Sequence, residues 1–156
     1  MTRAVFPGSF DPFTVGHLDI VERASKVFDE VCVSIFDNPG KGTAFSLEER
    51  LELIRDAVKD IPNVVVGHSG GLLVDYCREN GINVIVRGIR NCSDVEYEAM
   101  LEAVNTRIAP EIPTVYLISK PEHAYLSSTL VRQLINIGIG IDGLVPNADH
   151  KYLRRV

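Results

Sequence analysis

The sequence predicts an α/β fold, a doubly wound sheet of five parallel strands with helices on both faces, and three observations predict it. Five short apolar runs recur along the chain, at Ala4–Phe6, Val31–Phe36, Val64–Val66, Val84–Val86 and Val115–Ile118. They are rich in Val and Ile and mostly continuous rather than alternating, the pattern of strands buried on both faces of a parallel sheet. Between them lie segments of helical periodicity, and strand alternating with helix implies right-handed crossovers. The expectation is a Rossmann-like architecture.

Each helix carries its own signals. In the first, Leu18, Val21, Ala24 and Phe28 recur at spacings of three and four. The second opens on Ser46 and Glu49, a capping-box pair that satisfies two orphan backbone donors, and continues through Leu47, Leu51, Ile54 and Val58. The third covers about Leu72 to Glu79 and stops at Asn80-Gly81. Ser93 and Glu96 form a second capping-box pair before a stripe of Tyr97, Leu101, Val104 and Ile108. The fifth runs from about Ser127 to Ile137 and stops at Gly138. Residues 139–156 read as one or two short helical turns ending in a solvated Arg154-Arg155. No linker, repeat or low-complexity stretch divides the chain, so residues 1–156 read as a single domain.

At 156 residues the chain is long enough to bury a core without disulfides or a structural metal. Hydrophobic residues make up 46% and charged residues 24%, which excludes a disordered, collagen-like or disulfide-stapled chain. No apolar run reaches membrane-spanning length, and Met1–Pro12 lacks the charged and apolar regions of a secretory signal. A cytoplasmic protein without a membrane partner is expected. Sixteen Lys and Arg against 21 Asp and Glu leave a net charge of −5. Without a basic stripe a nucleic-acid partner is not expected, whereas a small phosphorylated ligand needs only a few placed cations. Cys32, Cys77 and Cys92 are odd in number and show no C-x-x-C spacing, so no zinc or disulfide framework is expected. Cys32, inside an apolar run, reads as core. His68 and His150 read as surface residues, and the four scattered histidines suggest no metal site.

In an open α/β sheet, ligands bind beyond the carboxyl ends of the strands. The five stretches expected there begin at Pro7, Asp37, Gly67, Arg87 and Ser119, and they hold seven of the twelve glycines together with Lys41, Arg87, Arg90 and Lys120. One rim of an acidic protein therefore gathers backbone that can approach a ligand closely and cations that contact phosphate. The most informative stretch is Pro7-Gly8-Ser9-Phe10-Asp11-Pro12-Phe13-Thr14-Val15-Gly16-His17, between the first strand and the first helix. A glycine-containing turn feeding a helix N-terminus suits an anion. Neither G-x-x-x-x-G-K-[ST] nor G-x-G-x-x-G is present.

Gly8-Ser9-Phe10-Asp11-Pro12 followed by Thr14-Val15-Gly16-His17 resembles the signature of nucleotidyltransferases with the HIGH-type motif, Thr14 standing at its first histidine position. Asn38-Pro39-Gly40-Lys41, Phe45-Ser46-Leu47-Glu48-Glu49-Arg50, Arg87-Gly88-Ile89-Arg90, Asp94-Val95-Glu96-Tyr97-Glu98, Asn105 and Leu126-Ser127-Ser128-Thr129 are similar to the phosphopantetheine adenylyltransferase family. The resemblance implies adenylyl transfer from ATP, with Mg²⁺ carried on the nucleotide, to 4′-phosphopantetheine, giving dephospho-coenzyme A and pyrophosphate. It makes His17, Lys41 and Arg90 catalytic. It places Ser9, Phe10, His17, Gly88, Ile89, Arg90, Glu98, His123, Ala124, Tyr125, Leu126, Ser127, Ser128 and Thr129 around ATP, with Glu98 at the ribose. Ser9, Lys41, Leu73 and Arg87 fall to phosphopantetheine, no residue to a protein-held metal, and the assembly is expected to be a homo-hexamer.

Three positions depart from the family pattern: Thr129 keeps the hydroxyl of the usual serine, Gln133 stands where relatives can carry Glu, and His123 stands where an aromatic residue is common. Two other functions share the first motif. A nicotinate mononucleotide adenylyltransferase or a cytidylyltransferase would differ in the late motif, where this chain reads Ala124-Tyr125-Leu126-Ser127-Ser128-Thr129. A non-catalytic nucleotide sensor would most simply lack His17 or Lys41, and both are present.

Overall fold

The Val- and Ile-rich runs pair side by side because each hides both faces and each connection is long enough to hold a helix. In the computed structural model, which describes residues 1–37, 40 and 42–154, they form β1 (Arg3–Gly8), β2 (Glu30–Phe36), β3 (Val64–Ser69), β4 (Val84–Ile89) and β5 (Thr114–Ile118). Every pairing is parallel and the order is β3-β2-β1-β4-β5. The helices are α1 (Val15–Ser25), α2 (Leu47–Val58), α3 (Leu73–Glu79), α4 (Cys92–Ile108) and α5 (Ser128–Asn136), with a 3₁₀ turn at Pro121–His123. The doubly wound expectation holds.

Side chains alternate across the sheet. Ala4, Phe6, Val31, Val33, Ile35, Val84 and Val86 face Ile20, Val21 and Ala24 of α1 and Leu51, Ile54 and Val58 of α2. Val5, Cys32 and Ile85 face the other way, against Val74 and Cys77 of α3 and against Ala109 and Ile112. A third cluster joins Phe45, Leu53, Leu126 and Val131 to Ile141, Val145 and Leu153, so residues beyond α5 complete the packing behind α2 and α5. Each fully buried Val or Ile contributes roughly 1.5–3 kcal/mol of transfer free energy.

Several boundaries differ from expectation. Pro7-Gly8, Gly67-His68-Ser69 and Arg87-Gly88-Ile89 belong to strands rather than loops, since Gly8 pairs with Ile35, Ser69 with Phe36 and Ile89 with Ile118. Backbone pairing, not hydrophobicity, sets where a buried ladder stops. Phe28 lies past the end of α1. Helix α4 is capped by Asn91, whose side chain accepts from the Asp94 N–H, and not by a Ser93–Glu96 box. Its stripe is not core either: Tyr97, Val104 and Ile108 are exposed, and Glu98 is the buried residue of this helix. Residues 139–154 form short hydrogen-bonded turns, in line with the one or two turns expected there. His150 is tucked under Tyr152, with ring centroids 5.1 Å apart, and only 11% of its side chain is exposed. Arg154 is solvated, as expected, and pairs with Asp149; Arg155 lies outside the described residues.

The site is set by one break in this regularity. Strands β1 and β2 pair over six positions, but β1 and β4 pair only at Ala4–Val84 and Val5–Ile85. Strand order also reverses between them, the switch point where such sheets open a crevice. Pro7-Gly8 and Arg87-Gly88 therefore end on either side of a split.

Candidate active site

The β1–α1 turn is built by packing as much as by hydrogen bonds. Phe10 takes a left-handed backbone (φ 46°), rare for a non-glycine residue. Its ring stacks edge-on to Phe6 and Phe13, with centroids 5.4 Å away in each case. The ring passes so close to Gly8 that a β-carbon there would sit 2.9 Å from Phe10 Cζ, so only glycine fits. The Asp11–Pro12 peptide is cis. Thr14 then caps α1: its Oγ1 accepts the His17 N–H at 3.3 Å, and the Thr14 N–H donates to His17 Nδ1 at 3.0 Å.

That last bond sets the chemistry of His17. With Nδ1 accepting, a neutral imidazole holds its proton on Nε2 and can only donate from there. The ring packs against Phe6, Phe10 and Phe13 at 5.0–6.2 Å between centroids. Loss of water around the ring, then the positive charges of Arg90 and Arg87, lower its pKa to about 3. His17 is half-buried as a residue, and at neutral pH it is an uncharged hydrogen-bond donor at the first turn of a helix. Thr14, which the sequence shows only as a variant motif position, is what aims it.

Across the split, Arg87 bridges the separated strands. Its Nη1 donates to the Pro7 carbonyl at 3.1 Å, while Nε and Nη2 grip the Glu98 carboxylate at 2.7–3.0 Å. Glu98 is 7% exposed, so the pair of a strand cation and a helix anion holds α4 against β4. Arg90 donates to Asp94 at 3.1 and 3.3 Å and to the Leu126 carbonyl at 3.1 Å. Beside Arg87 a cavity of about 40 Å³ is lined by Leu73, Leu101, Asn105, Thr114 and Tyr116 among others. Tyr116 donates to Glu102 at 2.8 Å; burial and that carboxylate push its pKa to about 12.

Residues 119–129 close the third side. Lys120 reaches the buried Asp19 of α1 at 2.8 Å, and the Arg23 guanidinium donates to the Ile118 carbonyl at 2.8 Å. His123 lies over the first turn of α1, its Cβ 3.7 Å from where a Gly16 β-carbon would be. Ala124 is partly buried, Tyr125 is 65% exposed and Leu126 is core. The three hydroxyls are already engaged: Ser127 caps α5 by accepting from the Leu130 N–H, Ser128 donates to the Pro12 carbonyl at 2.7 Å, and Thr129 accepts from the Arg132 guanidinium at 3.2 Å. The N-terminus of α5 thereby docks beside the β1–α1 turn, and helix N-termini favour anions.

The expected residues thus fall into two groups on one rim. Ser9, Phe10, His17, Gly88, Ile89, Arg90 and residues 123–129 border the split. Leu73 and Arg87 meet in the cavity behind it together with Asn105. Glu98, expected at a ribose, pairs with Arg87. Lys41 lies outside the described residues, as do Asn38 and Pro39. Leu72 is exposed and away from the core, and Gln133 is exposed on α5. His68 is exposed but not alone, with Nε2 3.6 Å from Asp37. Among the described residues no group of three His, Cys, Asp or Glu side chains could hold a metal ion, and no helix is long and apolar enough to cross a membrane.

A parallel sheet split at its switch point, with a neutral histidine donor and paired arginines on the rim, is the arrangement of a nucleotidyltransferase. The cytidylyltransferase-like family matches residues 5–134. The crystal structure of a bifunctional NMN adenylyltransferase/ADP ribose pyrophosphatase from Francisella tularensis shares the fold, with a TM-score of 0.71 at 21% identity over 95% of this chain; this chain spans 46% of that longer protein. Sequence relatives are nearer. Phosphopantetheine adenylyltransferase of Symbiobacterium thermophilum is 51% identical over 99% of this chain and 95% of its own. That of Dictyoglomus turgidum is 47% identical over 94% and 92%. The chain belongs to the phosphopantetheine adenylyltransferase family.

Proposed function

We propose that the chain transfers the adenylyl group of ATP to 4′-phosphopantetheine. A phosphate oxygen of phosphopantetheine attacks the α-phosphorus in line, the bond from that phosphorus to the β-phosphate oxygen breaks, and pyrophosphate leaves with the electron pair. Dephospho-coenzyme A is the other product. No protein nucleophile is required, so catalysis is positioning and charge stabilisation. The observation that carries this reading is the fixed tautomer of His17: a neutral Nε2–H donor at a helix N-terminus suits an α-phosphate whose negative charge grows on its outer oxygens.

The other roles follow the family resemblance. Arg90 and Lys41 steady the phosphates in flight. Ser9 holds phosphate beside His17, Arg87 takes the phosphate of phosphopantetheine, and Leu73 flanks the pantetheine arm. Phe10, Gly88, Ile89 and residues 123–129 form the ATP side, with Mg²⁺ arriving as part of the nucleotide substrate. Glu98 lies at the ATP ribose by the same resemblance, and its bidentate ion pair with Arg87 holds it beside the phosphopantetheine side. A cytoplasmic homo-hexamer is part of the same proposal. The exposed apolar side chains of α4 (Val95, Tyr97, Met100, Val104 and Ile108, 44–58% exposed) support self-association, since that much apolar surface on one helix marks an interaction face.

The test is pyrophosphate release from MgATP with 4′-phosphopantetheine, beside His17→Ala and a nicotinate mononucleotide control. Release that needs phosphopantetheine and collapses in the variant is the expected result. Turnover of the control alone would move the assignment to a sister enzyme. ATP binding without turnover of either would make the chain a sensor.

A further inference from the structure

The segment Phe45–Arg50 is left without a task by the proposed reaction, although it stands out in the sequence. In the structure it reaches the β1–α1 turn twice. Asp11, 4% exposed, points its carboxylate at the start of this segment: Oδ2 accepts the Ala44 N–H and Oδ1 the Phe45 N–H, each at 2.9 Å. Arg50, 2% exposed, donates from Nη1 to the Ser9 carbonyl at 2.9 Å and from Nη2 to Asp37 at 2.8 Å. Asp37 begins the connection that follows β2, and Ala44-Phe45 end it. Both ends of that connection are therefore pinned to the same three-residue stretch, Ser9–Asp11. Arg132 of α5 adds a third hold by donating to the Asp11 carbonyl at 2.6 Å.

A purely structural task explains this poorly. Arg50 Nε is buried without a partner among the described residues, and a buried guanidinium with an unmade hydrogen bond is usually no more stabilising than an apolar residue of the same size. What the fork of Arg50 does, and an apolar side chain could not, is fix the Ser9 carbonyl relative to the end of β2. A carboxylate at position 11 likewise takes two successive N–H groups, one on each oxygen; an amide would turn a donating NH2 toward one of them.

The geometry assigns Asp11 and Arg50 as positioning residues for the reaction: they hold the Ser9–Phe10 turn, and with it the phosphate-facing Ser9, in register with the chain on either side of the 37–45 connection. The inference rests on the adenylyl-transfer reading above. Reacting groups displaced by about 1 Å can lose on the order of a hundredfold in rate.

The experiment compares wild type with Asp11→Asn and Arg50→Lys, isosteric or charge-conserving changes, and with the surface variant Asp37→Ala, which cuts the outer hold of Arg50 without touching the core. Three quantities are read: kcat at saturating substrates, the Kd of MgATP by calorimetry, and Tm. A positioning role predicts kcat reduced by roughly tenfold to a hundredfold in Asp11→Asn and Arg50→Lys and less in Asp37→Ala. The Kd of MgATP should rise by a smaller factor than kcat falls, because Arg90 and residues 123–129, which share the ATP with the Ser9–Phe10 turn, sit on other elements. Lowered Tm with unchanged kcat per folded site overturns the inference. Silence of the wild type would overturn the reaction itself, whereas active wild type with unaffected variants overturns only this assignment.

Discussion

His17 shows how a neighbour's backbone decides what a side chain can do. Because the phenyl rings exclude water and the Arg90 and Arg87 charges stand near, the imidazole stays neutral down to a pKa of about 3, and the Thr14 N–H on Nδ1 sets which nitrogen keeps the proton. The rate profile should therefore show no limb from His17 between about pH 5 and 8, where an ordinary histidine would titrate near 6.5. Stability should respond in the opposite sense to a charged histidine. The folded chain declines a proton that the unfolded chain accepts, so the contribution is complete above the unfolded value of 6.5 and is lost as pH falls toward about 3. Chemical denaturation at pH 7 and pH 4.5 should show a smaller drop for His17→Gln than for wild type. The same substitution should lower kcat by about 10²–10³, the cost of losing one donor to developing charge. Arg87 makes a second residue-level case. Arg87→Lys keeps the charge but cannot span the Glu98 carboxylate and the Pro7 carbonyl together. The KM for phosphopantetheine should rise roughly tenfold or more. Arg87→Ala, which strands a nearly buried carboxylate, should cost about 2 kcal/mol in denaturant titration.

At the scale of elements, caps separate what local sequence shows from what packing decides. The Ser46–Glu49 box at α2 is present as the spacing predicts, Glu49 accepting from Ser46 N–H and Ser46 from Glu49 N–H at 2.9 and 3.2 Å. The same spacing at Ser93–Glu96 is idle, because β4 runs on through Ile89 and the chain turns into α4 two residues earlier, at Asn91. Asn91→Ala should accordingly cost about 1 kcal/mol in thermal or chemical unfolding and Ser93→Ala less than half of that. Five strands, their order of appearance and the turn ends at Gly81 and Gly138 were all legible, since β-branched runs and left-handed glycines are local signals. The candidate site was legible through its motifs. Hidden from sequence were the contacts that cross the fold: Asp11 to Phe45, Arg50 to Ser9, Arg87 to Glu98 and Lys120 to Asp19 join residues 11 to 101 positions apart. Helix α4 misled for a related reason. Its stripe of Tyr97, Val104 and Ile108 has the periodicity of a core face, but a single protomer offers it nothing to pack on.

For the whole molecule that stripe is the feature with the most to test. A charge placed on it should leave the fold intact, because the side chains contact solvent in one protomer, and should weaken self-association, because burying an unpaired carboxylate between copies is costly. Val104→Glu and Met100→Glu should shift the sedimentation profile from a multiple of the 17.2 kDa chain toward the single chain, with far-ultraviolet circular dichroism unchanged. A different consequence follows from the way the β1–α1 turn is completed. The N–H of Val15, the first residue of α1, donates to the Leu144 carbonyl at 3.0 Å, Ser128 reaches Pro12 and Arg132 reaches Asp11. The β1–α1 motif is thus assembled from partners made more than a hundred residues after it, 129 for the farthest pair, Val15 and Leu144. A nascent chain that has paired β1 with β2 still lacks the atoms that seat its own histidine helix. Translation stalled before residue 144 should give a sheet without a finished β1–α1 turn, and activity should emerge only once residue 144 has been added.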